Sequence, residues 1–167
     1  YDNINAEHGK AFGADGWEIS AHALCAKDHI NIQGRQFPKD SPALEGLARP
    51  IGTRNCHHTK RPILIGISMP AYTKEELKAV NDRSNQEVTW HSAAGNEMTA
   101  TRYEASQYQR KMEVAIRNKR DELKALEESG DKVGAQIAKT DVKLLSNSYK
   151  QASDEMGLRP QWWRTGK

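Results

Sequence analysis

The stretch 101–131, TRYEASQYQRKMEVAIRNKRDELKALEESGD, decides the architecture of the second half of this chain. From Thr101 to Glu128 it contains no Gly or Pro. Apolar side chains recur at Tyr108, Met112, Ile116, Leu123 and Leu126, and Lys119 can lay its stem along the same stripe, which is the signature of an amphipathic helix. Ser129-Gly130-Asp131 supplies both a stop and a start, because Gly tolerates the left-handed conformation that ends a helix and Asp caps the next one. The following segment carries Val133, Ile137, Leu144, Leu145, Tyr149, Ala152 and Met156 before Gly157 and Pro160 end it. Two helices of about 25 residues joined by so tight a turn are expected to run antiparallel. The expected inner stripes are Ile116, Leu123 and Leu126 on the first helix and Ile137, Leu144 and Leu145 on the second. Such a hairpin serves either as an arm that docks on a partner or as an ordinary helical subdomain.

Upstream the character is different. Prolines at 38, 42, 50, 62 and 70 keep residues 17–100 rich in loops. Trp17 to Ile19 and Ile30 to Phe37 alternate loosely and read as two short strands around a polar turn, with Gly34 a bulge or a point of close approach. Arg61 to Ile67 is a brief apolar run between prolines, expected as a buried strand. Thr73 with Glu76 three positions later forms a capping box for a helix ending near Arg83, and residues 88–99 resemble a hairpin. Residues 1–16 are too polar to settle a helix and read as the end of a preceding element. The chain begins at Tyr1 rather than Met, so a processed product or a piece of a longer protein is expected.

Four of the six histidines and both cysteines fall between Ser20 and His58. His22, Cys25 and His29 form one group and Cys56, His57 and His58 the other. Imidazole and thiolate donors in two groups suit a tetrahedral site for borderline-soft Zn²⁺. The spacing is looser than that of a zinc finger, and two other readings stay open. In one, the histidines hydrogen-bond around a polar turn and the cysteines behave as small buried hydrophobes. In the other, His22 and His29 act as acid and base with Arg35 or Lys60 on a phosphate, as in a metal-independent ribonuclease. No carboxylate or hydroxyl is placed by sequence to orient them.

Composition narrows the classes. At 167 residues, with 37% hydrophobic and 28% charged residues and a mean hydropathy of −0.85, the chain has a small core under a large wetted surface. A net charge of +3, with the charges interspersed, creates no global field for nucleic acid. No run of about 18 apolar residues is present to span a membrane. Two cysteines make no disulfide framework, although a single Cys25–Cys56 bridge stays open. The tail is locally basic and aromatic: Arg159, Trp162, Trp163, Arg164 and Lys167 follow the last acidic residue, Glu155. It offers either a DNA contact or aromatics that fold onto the hairpin.

Several blocks, in order, carry a resemblance. They are Gly16-Trp17-Glu18-Ile19-Ser20-Ala21-His22, then Asp28-His29 followed by Gln33-Gly34-Arg35, then Pro50-Ile51-Gly52-Thr53-Arg54-Asn55-Cys56-His57-His58, then Gly66-Ile67-Ser68 leading to Pro70-Ala71-Tyr72. The helical start Arg102-Tyr103-Glu104-Ala105 belongs with them. Over most of residues 11–158 the chain resembles the phage minor capsid protein 2 family of tailed phages and prophages. The resemblance implies a structural or morphogenetic part of the virion, assembled with portal and head proteins in the host cytoplasm. It singles out His22, His29, Gln33, Gly34, Asn55, Cys56 and His58. The usual family pattern is similar to Asn-Cys-Arg-His, so His57 departs from it and is a poor candidate for an essential role. Mu-type head morphogenesis proteins look similar in placing paired Cys or His residues before a glycine and a Cys-rich block afterwards, which by analogy implies a metal-stapled module. The family blocks normally follow an N-terminal region not seen here.

The combined expectation is an α+β fold: a small, loop-rich β-containing module over 17–100, stapled by Zn²⁺ through His22, His29, Cys56 and His58, then a long antiparallel helical hairpin over 101–158 and a basic aromatic tail over 159–167. The expected role is a minor head protein touching portal or capsid subunits, with no hydrolytic activity. The rival is a virion-borne nuclease or toxin-like domain using His22, His29 and Arg35.

Overall fold

The computed structural model describes residues 2–53 and 56–166, apart from the side chains at positions 2–4 and 6. Arg54, Asn55 and Lys167, which belong to the family-like run and the basic tail, lie outside those residues. The fold is α+β and divides into two compact units, the first ending at Asn85 and the second beginning at Gln86.

The first unit is built on a three-stranded antiparallel sheet in the order β2-β1-β3, from β1 (Gly16–Ile19), β2 (Gln36–Pro38) and β3 (Lys60–Ile63). Alternation along β1 sorts its two faces. Trp17 and Ile19 join Ile32, Ile51, Phe37, Leu44 and Leu47 in the apolar core. Glu18 points the other way and is buried, where it takes a charge-assisted hydrogen bond from Arg61, a short one from the Ala71 N–H at 2.7 Å and a longer one from Gln36. Gln36 and Arg61 are its cross-strand neighbours, so the carboxylate pins both edge strands and the loop at Ala71 to the centre.

Helix α1 (Asp2–Ala11) packs on β3, with the Asn5 amide donating to the Lys60 carbonyl at 2.9 Å. Residues 2–11 are thus a helix of this unit. Helix α2 (Pro42–Glu45) is a single turn begun by proline, and α3 (Lys74–Asn85) has the expected capping box: the Thr73 N–H donates to Glu76 at 2.8 Å and the Glu76 N–H to Thr73 Oγ1 at 3.1 Å. The strand expected over Ile30–Phe37 is much shorter. Residues 23–34 instead fold as turns, with the His29 carbonyl accepting the N–H groups of Ile32 and Gln33, so extended backbone resumes only at Gln36.

The second unit opens with a hairpin, β4 (Glu87–His91) and β5 (Glu97–Thr101), and continues into α4 (Arg102–Ser129) and α5 (Lys132–Glu155). Thr101 and Glu104 form a full capping box on α4; Gly130 closes that helix at φ 79°, and Asp131 caps α5 through the Gly134 N–H. Side-chain partners step in opposite directions along the two helices: Gln109 with Ser153, Glu113 with Tyr149, Lys119 with Asp141. The helices are therefore antiparallel, as the Gly130 turn requires.

The inner face of α5 differs from the expected stripe. Ile137 and Leu144 are 59% and 60% exposed, and Val133 lies on the same outward face. The buried positions are Ala138, Tyr149, Ala152 and Ser153, with Leu145 packed beside them. The face is set by Tyr149, whose hydroxyl reaches the buried Glu113, and by small residues that let the helices approach closely. On α4, Ile116 is fully buried, while Leu123 and Leu126 are half-buried. Trp90 from the hairpin closes the other end against Ala105, Ala152 and Met156.

Candidate metal centre

The register of the first sheet brings the two histidine groups together. β1 runs antiparallel to β3 with Ile19 opposite Lys60, so the residues leaving β1 face those entering β3. The pairing continues past the strands: the Ser20 N–H donates to the Thr59 carbonyl at 3.0 Å, and the Thr59 N–H donates to Ser20 Oγ at 2.9 Å. His22 consequently meets His57 edge-on at 5.8 Å between ring centroids. The turns between β1 and β2 then cross the same end of the sheet and bring His29 and Gln33 over it. They are anchored at Gly34, whose N–H donates to the Ile19 carbonyl at 2.8 Å. Gly34 has φ 68°, and a Cβ there would lie 2.0 Å from a methyl of Leu77, so both backbone conformation and space demand glycine.

At this end of the sheet His29, Cys56 and His58 form a group able to hold a metal ion, their ligand atoms all within 4.8 Å of one another. Cys56 Sγ is 3.6 Å from His29 Nδ1 and 3.5 Å from His58 Nδ1. A tetrahedral zinc ion with Zn–S about 2.3 Å and Zn–N about 2.0–2.1 Å has S···N edges of about 3.6 Å. The two S···N separations fall at that edge length, which is also the length of a thiol–imidazole hydrogen bond.

The hydrogen bonds around the trio aim the lone pairs inward. His29 Nε2 is 2.6 Å from the Arg49 carbonyl, which can only accept, so Nε2 carries the proton and Nδ1 presents a lone pair to Cys56. His58 Nε2 is 3.2 Å from Gln33 Oε1, an oxygen that also accepts the His22 N–H at 3.1 Å. His58 is therefore held in the same tautomer. Burial, reinforced by His22 and His29, pushes His58 down to about 3, and burial with His57 and His29 pushes His22 down to about 4. Both rings are neutral at pH 7, the form that binds metal. Arg49 is itself held by a two-point ion pair with Asp28, at 2.8 and 3.2 Å.

The remaining residues of the two groups have other surroundings. His22 lies tilted against His58 at 4.3 Å between centroids, but its Nδ1 accepts the Leu24 N–H at 3.3 Å and its buried Nε2 has no hydrogen-bond partner among the described residues; it stands beside the trio rather than among its ligand atoms. Cys25 is a free, buried thiol donating to the Ala26 carbonyl, and burial together with Asp28 pushes it up to about 12. No Cys25–Cys56 disulfide is present. His57 is exposed.

The residues of the rival acid–base reading are arranged as follows. His29 is fully buried with Nε2 engaged by a carbonyl; the Asp28 carboxylate is 3.9 Å from that nitrogen and committed to Arg49; Arg35 is exposed. In the tail, Trp162 packs edge-on against Tyr149 at 4.9 Å, and Arg120 donates twice to Thr165. Trp163 is 71% exposed with the Arg164 guanidinium stacked on it at 4.7 Å, and Arg159 is exposed as well. Gln33 stood out in the sequence only through the family resemblance, and Arg49 and Glu18 escaped sequence reasoning as supporting groups. Of these, only the charged Glu18 inside the otherwise apolar run from Trp17 to Ile19 gave a local signal.

Two observations place the chain among known proteins. The model of the family described as phage minor capsid protein 2 matches residues 1–152, and the chain belongs to that family. No curated protein and no solved structure matches it.

Proposed function

We propose that this member of the phage minor capsid protein 2 family is a structural and morphogenetic component of a tailed-phage or prophage head, made in the host cytoplasm and carried in the virion, where it contacts portal or capsid subunits. The family match over residues 1–152 carries this reading. The chemistry of the candidate centre agrees with it: His29 and His58 are buried and tied by their outer nitrogens, an arrangement suited to holding a fold together rather than to meeting a substrate.

We assign Zn²⁺ to the trio, since imidazole and thiolate are donors it favours, with the fourth tetrahedral position left to a ligand outside the trio. Its role is a staple. The core of the first unit is small, and an ion joining the turn at His29 to the segment at Cys56 and His58 supplies folding free energy that the apolar contacts lack. His22 then acts as a packing neighbour of His58. The test of the head assignment is cross-linking mass spectrometry on purified virions. Peptides of this chain linked to portal or major capsid protein are expected. Presence in the infected-cell lysate with absence from intact particles would refute it.

A further inference from the structure

We infer that Gln33 is the positioning residue of the centre: it keeps the His58 imidazole in the tautomer whose Nδ1 binds metal, and it fastens α3 to the site. This rests on the zinc assignment above. Gln33 is buried, and its side chain is engaged at both ends. Oε1 accepts from His58 Nε2 and from the His22 backbone, while Nε2 donates to Asn81 Oδ1 on α3 at 2.5 Å. The direction of the amide is forced, because the His22 N–H can only donate and so must face the oxygen. With the oxygen fixed, His58 has one way to satisfy its outer nitrogen, which is to donate from Nε2. That leaves the lone pair on Nδ1, 3.5 Å from Cys56 Sγ.

His29 has its equivalent in the Arg49 carbonyl, but a main-chain acceptor cannot be altered by substitution. Gln33 can be. The second anchor on α3 is Ser84, whose hydroxyl accepts the Cys25 N–H at 3.2 Å, so the loop that carries His22 is held on α3 beside the same glutamine. Outer partners of ligating histidines set ring orientation and basicity, and their loss weakens metal binding about 10–100-fold.

The experiment uses the whole chain loaded with Co²⁺ as a spectroscopic stand-in for Zn²⁺, with affinities measured against a chromophoric chelator. Wild type is expected to take up one ion with a thiolate charge-transfer band from Cys56. Gln33→Leu should bind about 10–100-fold more weakly, with altered ligand-field bands, whereas Gln33→Glu, which keeps the oxygen acceptor for His58 and loses only the bond to Asn81, should lie between it and wild type. Equal affinity in Gln33→Leu and wild type, or a Glu variant as weak as the Leu variant, overturns the positioning role while leaving the zinc site standing. Failure of the wild type to bind Co²⁺ or Zn²⁺ overturns the zinc assignment and this inference together. Should Gln33→Leu not fold, ¹⁵N spectra of the imidazoles in wild type decide: His58 protonated at Nε2 is expected, and protonation at Nδ1 refutes the proposal.

Discussion

On the proposed zinc assignment, chelation should cost the first unit much of its stability, by an amount that the excess of free metal over Kd sets. The trio joins a turn after β1 to the segment entering β3, two parts of the chain otherwise connected through the sheet and the core around Ile19, Ile32 and Ile51. An ion bound only by the folded state stabilises it by about 2.7 kcal/mol when free metal stands a hundredfold above Kd. For a unit of this size each kcal/mol moves the midpoint by roughly 4–8 °C, so chelation should lower the first transition by roughly 10–20 °C. Cys56→Ser should reproduce the chelator effect and make the variant indifferent to added Zn²⁺. Cys25→Ser is the internal control, since that thiol donates to the Ala26 carbonyl and lies outside the trio; its transition should still respond to metal. Calorimetry reads the transition, and hydrogen exchange of residues 16–63 assigns it to the first unit. A first transition that is unmoved by excess chelator, in protein shown by elemental analysis to start with one zinc, would refute the staple.

Three further outcomes test the rest of the structure. Tyr149→Phe removes a hydroxyl that accepts the Gln161 N–H at 2.7 Å and donates to buried Glu113 at 3.1 Å, so it should destabilise the second unit by about 2–4 kcal/mol in denaturant titrations and expose the tail at Arg164 to trypsin. Ile116→Ala should cost about 2–5 kcal/mol, whereas Ile137→Lys and Leu144→Lys should each stay within about 0.5 kcal/mol because those side chains face solvent; a large loss from either lysine would show that the outward face of α5 is buried in the protein in solution. For Cys25, burial raises the thiol from about 9 to about 12, so the folded state keeps a proton that the unfolded state releases. Stability from this group is therefore full below about pH 9 and falls as pH rises toward 12. Cys25→Ala should flatten that alkaline decline, and alkylation of the folded, metal-free protein at pH 8 should label Cys56 well before Cys25.

The hairpin was legible in the sequence because everything that makes it is local. Capping at Thr101 and Glu104, the stop at Gly130 and the cap at Asp131 act over a few residues, and the 3.6-residue period announces each helix by itself. Which side of α5 turns inward was not local. Ile137 and Leu144 are as apolar as Leu145, and the choice fell to Tyr149 with Glu113 and to the close fit at Ala138, all of which depend on the partner helix.

The candidate centre divides along the same line. The presence of two imidazole and thiol groups is written in the chain, and so is the capping box that starts α3. Their convergence depends on Ile19 standing opposite Lys60, a strand register set by burial of Trp17 and Ile19 on one face and of Glu18 on the other. The tautomers depend on oxygens supplied to His29 by Arg49 and to His58 by Gln33, 20 and 25 residues away along the chain. Residue identity determined which donors exist and which helices form, because those are properties of a side chain and of its near neighbours. Only the tertiary structure decided which donors meet and which nitrogen of each ring faces the sulfur, because both are set by hydrogen-bond partners that chain folding alone brings within reach.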